Sequence, residues 1–98
     1  MMTTDENMTA LTATVPVQTT VRPFPPDGIL ISNLLQTTTE EGSVFSVAVT
    51  LFSGIFPTDA RLIRDVSRNR KEAENLFRLL SAGAVTPWTL ADVLEDLL

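Results

Sequence analysis

The sequence predicts a mostly α protein, in which a small helical domain of three to four helices follows an extended N-terminal arm of β type. Residues 9–21 alternate between apolar and polar side chains, which is typical of a strand with one buried face. Leucine-rich segments with the three- and four-residue spacing of amphipathic helices follow residue 28. A proline-rich segment separates the two patterns. We therefore divide the chain into an arm and linker, residues 1–26, and a helical domain, residues 27–98.

The arm is predicted to bind protein. Its apolar positions of one parity are Leu11, Ala13, Val15, Val17 and Val21. Most of the remaining chain favours helix, so we expect this strand to dock on a distant segment or on another subunit. Ordering some 15 residues costs about 1–2 kcal/mol each in backbone entropy, and burying each apolar side chain returns about 1–3 kcal/mol. The arm therefore needs ladder hydrogen bonds from a receiving surface.

Three prolines in residues 23–26 fix the backbone and remove N–H donors, and Asp27-Gly28 favours a turn. This segment is the predicted boundary. Phe24 lies within it, and we count Phe24 among the candidate protein-binding residues because it is placed to pin the arm.

Beyond the boundary, Ile31, Leu34 and Leu35 predict a short first helix with Asp27 as its cap. The run of threonines at residues 37–39 would end this helix.

Residues 40–56 are ambiguous. The positions that fit helical spacing are Val44, Val47, Ala48, Leu51, Phe52 and Ile55, and Thr38 with Glu41 forms a capping-box pattern. Alternation of Phe45, Val47, Val49 and Leu51 with smaller or polar residues, between Gly42 and Gly54, instead favours a strand. We favour the helix, and the strand remains the alternative; as a strand, this segment would be the partner of the arm.

A long helix is predicted from Pro57 to about residue 82, with Gly83 as its C-terminal stop and residues 67–69 as a weak point that could mark a bend. A final helix is predicted to start at Thr86-Pro87, the cap and first-turn proline, and to run to the end of the chain. Trp88 at its start suits either an interface or a core contact.

Three arginines of the predicted long helix, Arg61, Arg64 and Arg68, would share one stripe with further basic residues. The stripe could contact phosphates or an acidic partner. Alternatively, it is a solvated face held by pairs such as Arg68 with Glu72 and Arg70 with Glu74.

The final helix carries Asp92, Glu95 and Asp96 and no basic residue. Negative charge at a helix C-terminus opposes the macrodipole, so a basic partner would relieve it. The arginines of a neighbouring copy would then give head-to-tail association, whereas the alternative role of the acids is solubility.

Composition excludes several classes of function. The 98 residues include no cysteine and no histidine, and 12 acidic against 7 basic side chains give a net charge of −5. Thiol nucleophiles, most zinc sites and the usual general base are therefore missing, and the net charge disfavours nucleic acid as a partner. The sequence carries no catalytic, cofactor or metal motif, so we expect no enzyme activity, no cofactor, no metal and no small-molecule substrate.

The sequence predicts no membrane contact, because its longest apolar run is far shorter than the ~20 residues of a spanning helix. An export signal is not apparent near the N-terminus, where acids replace the basic region. We therefore expect a cytoplasmic location, or one within a virus particle assembled there.

Two classes of function remain. The first is a non-enzymatic structural or assembly protein that contacts other copies of itself or other assembly subunits; an analogy of form suggests a virus or phage particle component. The second is a small acidic regulator or inhibitor that binds one larger protein. An assembly protein should need the arm to multimerise, whereas a monomeric regulator need not.

Overall fold

The structure, a computed structural model, describes residues 13–98. It consists of one four-stranded antiparallel sheet and two short helices. The elements are β1 (Ala13–Phe24), β2 (Gly28–Thr39), β3 (Gly42–Ser53), β4 (Phe56–Ser67), α1 (Arg70–Ser81) and α2 (Leu90–Leu97). The spatial order of the strands is their chain order, so the sheet is a meander. Of the described residues, 56% lie in strands and 23% in helices, so the fold is mostly β and the predicted mostly α class is wrong.

Each strand is 12 residues long, and short turns connect them. Gly42, in the β2–β3 connection, has a φ of 125°, and Gly54, between β3 and β4, has a φ of 63°. Such positive φ values favour glycine and let tight hairpins form. The β1–β2 turn contains a cis peptide bond between Pro25 and Pro26.

The strand expected in the arm is present as β1, but its partner is the next segment of the same chain. The β1–β2 ladder runs from Ala13 opposite Thr38 to Phe24 opposite Gly28. Neither a distant segment nor another subunit is needed for this pairing. The beginning of the alternating pattern, including Leu11, lies outside the described residues.

The predicted first helix and the favoured helix in residues 40–56 are both wrong, because these segments are β2 and β3. Their ladder is continuous from Gly28 opposite Ser53 to Thr39 opposite Gly42. The strand alternative for residues 40–56 is correct, although β3 pairs with β2 and β4 rather than with the arm. A central strand carries apolar side chains on both faces, so its apolar positions fit the period of a helix as well as that of a strand. Pairing with the neighbouring strands is what makes the segment a strand.

The first half of the predicted long helix is wrong, because the chain from Phe56 to Ser67 forms the strand β4. This strand pairs with the second edge of β3, as in Ala48 opposite Leu62, and satisfies backbone groups that would otherwise be unpaired. A β-bulge near its end gives Asp65 a φ of 57°, and the Asp65 backbone N–H donates to Ser46 Oγ at 3.3 Å. The predicted weak point at residues 67–69 is the junction between β4 and α1.

The second half of the predicted long helix is present as α1. Asn69 is its N-cap, and its side-chain Oδ1 accepts a hydrogen bond from the Glu72 backbone N–H at 2.9 Å. The final helix is also present as α2, but it begins at Leu90 with Thr89 as N-cap. Thr86, the predicted cap, instead forms a turn in which its backbone N–H donates to Thr89 Oγ1 at 3.0 Å.

The core lies between one face of the sheet and the two helices. Its buried hydrophobic residues are Leu30, Leu34, Phe45, Val47, Val49, Ala73, Leu76, Phe77, Leu80, Val85, Leu90 and Leu94. The fold therefore has two layers, and all helix packing falls on the same side of the sheet.

Candidate protein-binding surface

The second face of the sheet carries no helix within residues 13–98. Residues directly opposite each other in an antiparallel ladder share a face, and successive residues alternate. The pair Asn33–Ala48 therefore lies on the face opposite to the buried pair Leu34–Val47. We call this second surface the open face. Its paired residues are Thr14, Pro16, Thr19, Val21, Pro23, Ile29, Ile31, Asn33, Leu35, Thr37, Thr39, Gly42, Val44, Ser46, Ala48, Thr50, Phe52, Pro57, Ala60 and Leu62.

None of these positions is charged, and most of them carry apolar side chains. Its large hydrophobic side chains belong neither to the core cluster nor to the residues packed against it. Val21 is 62% exposed, and Ile29 and Leu62 are each 40% exposed. Exposed apolar side chains gathered on one face of a folded protein are typical of an interaction site.

Asn33 and Thr19 form a polar contact on the open face. The Thr19 hydroxyl donates to Asn33 Oδ1 at 2.6 Å. Because Asn33 lies on β2 and Thr19 on β1, this bond ties the two strands across the face. Both side chains are neutral, so this polar contact adds no charge to the open face.

The two edges of the sheet are poorly suited to pairing with another strand. Pro16 and Pro23 of β1 lack N–H groups, and a β-bulge follows Pro16. Asp59 and Arg61 place charges on the edge strand β4, which has bulges of its own. Prolines, bulges and charges on edge strands prevent edge-to-edge association.

The predicted protein-binding residues of the arm do not form one buried face. The register shift after Pro16 changes the parity, so that Val17 packs against the core whereas Val21 lies on the open face. Ala13 and Val15 are exposed. Among the members of this set that the structure describes, only Val21 is therefore on the candidate surface.

Phe24 packs against the core and meets Trp88 edge-on, with ring centroids 6.1 Å apart and an interplanar angle of 81°. The contact joins the end of β1 to the segment before α2. Trp88 remains half exposed. An aromatic pair of this geometry contributes about 0.5–1.5 kcal/mol beyond its buried area.

The predicted arginine stripe does not form as a helical stripe. Arg61 and Arg64 lie on β4, and Arg68 lies in the bend before α1. Strand side chains alternate between faces, so a spacing of three does not align the first two. Arg68 pairs with Asp65 at 3.5 Å rather than with Glu72. A role for the three arginines in binding a partner stays a prediction.

The expected pair of Arg70 and Glu74 is confirmed, with Arg70 Nε 3.0 Å from Glu74 Oε2. The predicted acidic residues of the final helix, Asp92, Glu95 and Asp96, are exposed on α2. The last turn of that helix contains no basic residue. Their pairing with a neighbouring copy stays a prediction.

The sequence reasoning missed the central members of the open face, such as Ile31, Leu35 and Ala48. A signal for them was present. Gly28, Gly42 and Gly54 recur at intervals of fourteen and twelve residues, which is the spacing of successive hairpin turns.

Grooves elsewhere in the described part of the chain are shallow and mixed in character. One of about 640 Å³ lies between β1 and α1, with Thr20, Glu74 and Arg78 in its lining. No three carboxylates in residues 13–98 come close enough together to hold a metal ion. In the same range, neither helix has the length and apolar character needed to cross a membrane.

Residues 29–98 match a family model described as "Family of unknown function (DUF6514)". The chain belongs to this family. The matched range of this DUF6514 member covers β2 to α2, and β1 precedes it. Neither the curated proteins nor the solved structures yield a match. The comparisons therefore supply no partner, and they do not bear on a virus-particle role.

Proposed function

We propose that this DUF6514 member is a non-enzymatic assembly protein that acts through protein–protein contacts and is present in more than one copy in its assembly. The open face carries the proposal. It spans all four strands, exposes apolar side chains, and has no charge at its paired positions. The hydrophobic effect favours covering such a surface.

Substitution on the open face tests this function. Thr50 lies opposite Ile31 near the middle of the face, and it is already polar. Thr50→Lys therefore places a charge on the face without removing an apolar group, and it leaves the core on the other side of the sheet intact. An unpaired charge is costly to bury in an interface.

The matched control is Leu79→Lys. Leu79 is an exposed leucine on α1, on the helical side of the molecule. Ile31→Lys is a second variant of the open face. Far-UV circular dichroism and thermal unfolding establish that each variant is folded.

The measurement is the solution mass by size exclusion with light scattering, from low to high micromolar concentration. We expect a mass above that of the 10.7 kDa monomer for the unsubstituted chain and for Leu79→Lys. We expect a monomer for Thr50→Lys and Ile31→Lys. A folded unsubstituted chain that stays monomeric throughout the series contradicts the multi-copy proposal.

The second candidate function is that of a small acidic regulator of one larger protein. The exposed acids of α2, Asp92, Glu95 and Asp96, favour it. For this candidate the chain should be monomeric, and neutralising the three acids should weaken binding to the partner with a marked dependence on salt.

A further inference from the structure

We propose that the occupant of the open face is a second copy of the same chain, packed face to face about a two-fold axis that passes near the Asn33–Ala48 pair. This inference rests on the proposed function and adds the geometry of the contact. The product is a four-layer dimer, with the two sheets inside and the helices of each copy outside.

The area of the open face suits a dimer. Four strands of 12 residues, at ~3.3 Å per residue and ~4.8 Å between strands, cover about 40 Å by 19 Å, or roughly 750 Å². A stable interface of standard size buries about 800 Å² per partner. The geometric footprint of the open face is therefore of the same order as one side of such an interface.

The distribution of charge favours the face-to-face dimer over a dimer formed through the helical side. The net charge of −5 opposes the approach of two copies, but the acids of α2 lie on the helical side. In the face-to-face dimer, three layer spacings of about 10 Å separate the two helical layers. That distance exceeds the Debye length of about 8 Å at physiological salt, so the repulsion is screened.

The competing apolar surfaces suit a second copy less well. Leu79, Leu97 and Leu98 form a small exposed cluster over α1 and α2, and Glu72 lines the groove between them. Contact through this cluster would bring the two acidic α2 helices together. Ile55 and Phe56 are exposed at the tip of the β3–β4 hairpin, which is too narrow to form a standard interface alone.

The open face is also suited to self-complementary contact. In a contact about a two-fold axis, the same surface of both copies meets itself. A surface with positive and negative charges must then bring opposite charges together, whereas a neutral surface has no such requirement. Asn33 and Ala48 occupy the middle of β2 and β3. A small side chain at position 48 lets the centres of the two sheets approach each other, and bulkier residues such as Phe52 and Leu35 fill the space around it.

Single-cysteine variants test this geometry directly, because the natural chain contains no cysteine. Ala48→Cys places a thiol at the proposed axis, Arg61→Cys places one on the edge strand β4, and Leu79→Cys places one on the outer surface of α1. Each variant is treated with a bismaleimide whose reach is about one sheet spacing, ~10 Å. Mass spectrometry then measures the cross-linked dimer, and the solution mass of each variant is measured without the reagent.

We expect a cross-linked dimer from Ala48→Cys as the dominant product, and little from the other two variants. Adding Thr50→Lys to Ala48→Cys should abolish that product and halve the solution mass, since both effects depend on the same contact. Ile31→Lys supplies the same test if the first combination does not fold.

The opposite results separate this inference from the proposed function. A multimer that cross-links through position 61 or 79 and not through position 48 overturns the face-to-face dimer, while the multi-copy function stands. A solution mass above that of the monomer in the double variant of Ala48→Cys and Thr50→Lys also overturns the face-to-face dimer, while the multi-copy function stands. A folded chain that remains monomeric overturns both proposals.

Discussion

Replacing Phe77 with alanine tests whether α1 packs on the sheet. Phe77 lies in the middle of α1 and is only 1% exposed, within a cluster that includes side chains of β2 and β3. Truncating a buried phenylalanine removes its transfer free energy and leaves a cavity, at a total cost of about 3–5 kcal/mol. We therefore expect Phe77→Ala to lower the free energy of unfolding by that amount.

The size of this effect is large relative to the stability of the whole protein. At about 0.05–0.15 kcal/mol per residue, a chain of 98 residues has a free energy of unfolding of about 5–15 kcal/mol. A domain of 60–100 residues loses about 4–8 °C in melting temperature per kcal/mol. Phe77→Ala should therefore lower the melting temperature by about 12 °C or more.

Urea denaturation followed by far-UV circular dichroism measures the change. All variants are compared at one protein concentration and in the Thr50→Lys background, because dissociation of a multimer would otherwise contribute to the apparent stability. Leu79→Ala is the matched control, since it changes helix propensity on the same helix in a similar way but removes a side chain that is 53% exposed. We expect the control to cost less than about 1 kcal/mol.

Packing of α1 on the sheet through Phe77 is contradicted if Phe77→Ala destabilises the protein no more than Leu79→Ala does. That result would mean that α1 does not cover the sheet through Phe77. The description of the open face as the opposite, uncovered side would then lose its basis.

Two further predictions concern the ends of α1. Asn69→Ala removes the acceptor for the Glu72 N–H and should cost about 1 kcal/mol in urea denaturation, whereas Asn69→Asp keeps an acceptor and should retain most of the stability; equal losses in both variants would contradict the capping role. Arg22 donates from Nε to the Ser81 carbonyl oxygen at 2.9 Å, so Arg22→Ala should cost about 0.5–1 kcal/mol and speed amide hydrogen exchange in the last turn of α1. Arg22→Lys should recover part of the protection, and unchanged exchange in Arg22→Ala would argue against this cap.

The local signals in the sequence were correct where one element is amphipathic with a single buried side. Ala73, Leu76, Phe77 and Leu80 line the buried face of α1, as their spacing predicts. Alternation likewise predicted that β1 is a strand, but not its burial, because only Val17 and Phe24 of β1 pack against the core. Both patterns are confined to one element, and therefore they can be recognised without knowledge of a partner.

The middle of the chain could not be assigned in this way. In β2, Leu30 and Leu34 face the core, while Ile29, Ile31 and Leu35 lie on the open face. Apolar residues on both parities remove the alternation and leave spacings that also fit a helix. Apolar side chains on both faces of the strand thus make the open face a candidate interface, and they also prevent the strands from being recognised in the sequence.

The sequence also could not show which residues of the arm belong to the open face. The bulge after Pro16 moves Val17 to the core and leaves Val21 on the open face, although both have the same parity in the sequence. A bulge inserts one residue into the ladder and exchanges the faces of everything beyond it. No local pattern in the arm specifies this exchange.

The sequence by itself determined the extended, threonine-rich character of β1, the amphipathic face of α1 and the glycines at the β2–β3 and β3–β4 hairpins, because propensity and periodicity act within a few residues. Only the tertiary structure decided that residues 56–67 form a strand. Their backbone groups gain hydrogen bonds from the free edge of β3, and this ladder outweighs the modest helix preference of the segment. The same pairing completes the fourth strand of the open face, whose place in the fold depends on contacts between residues far apart in the chain.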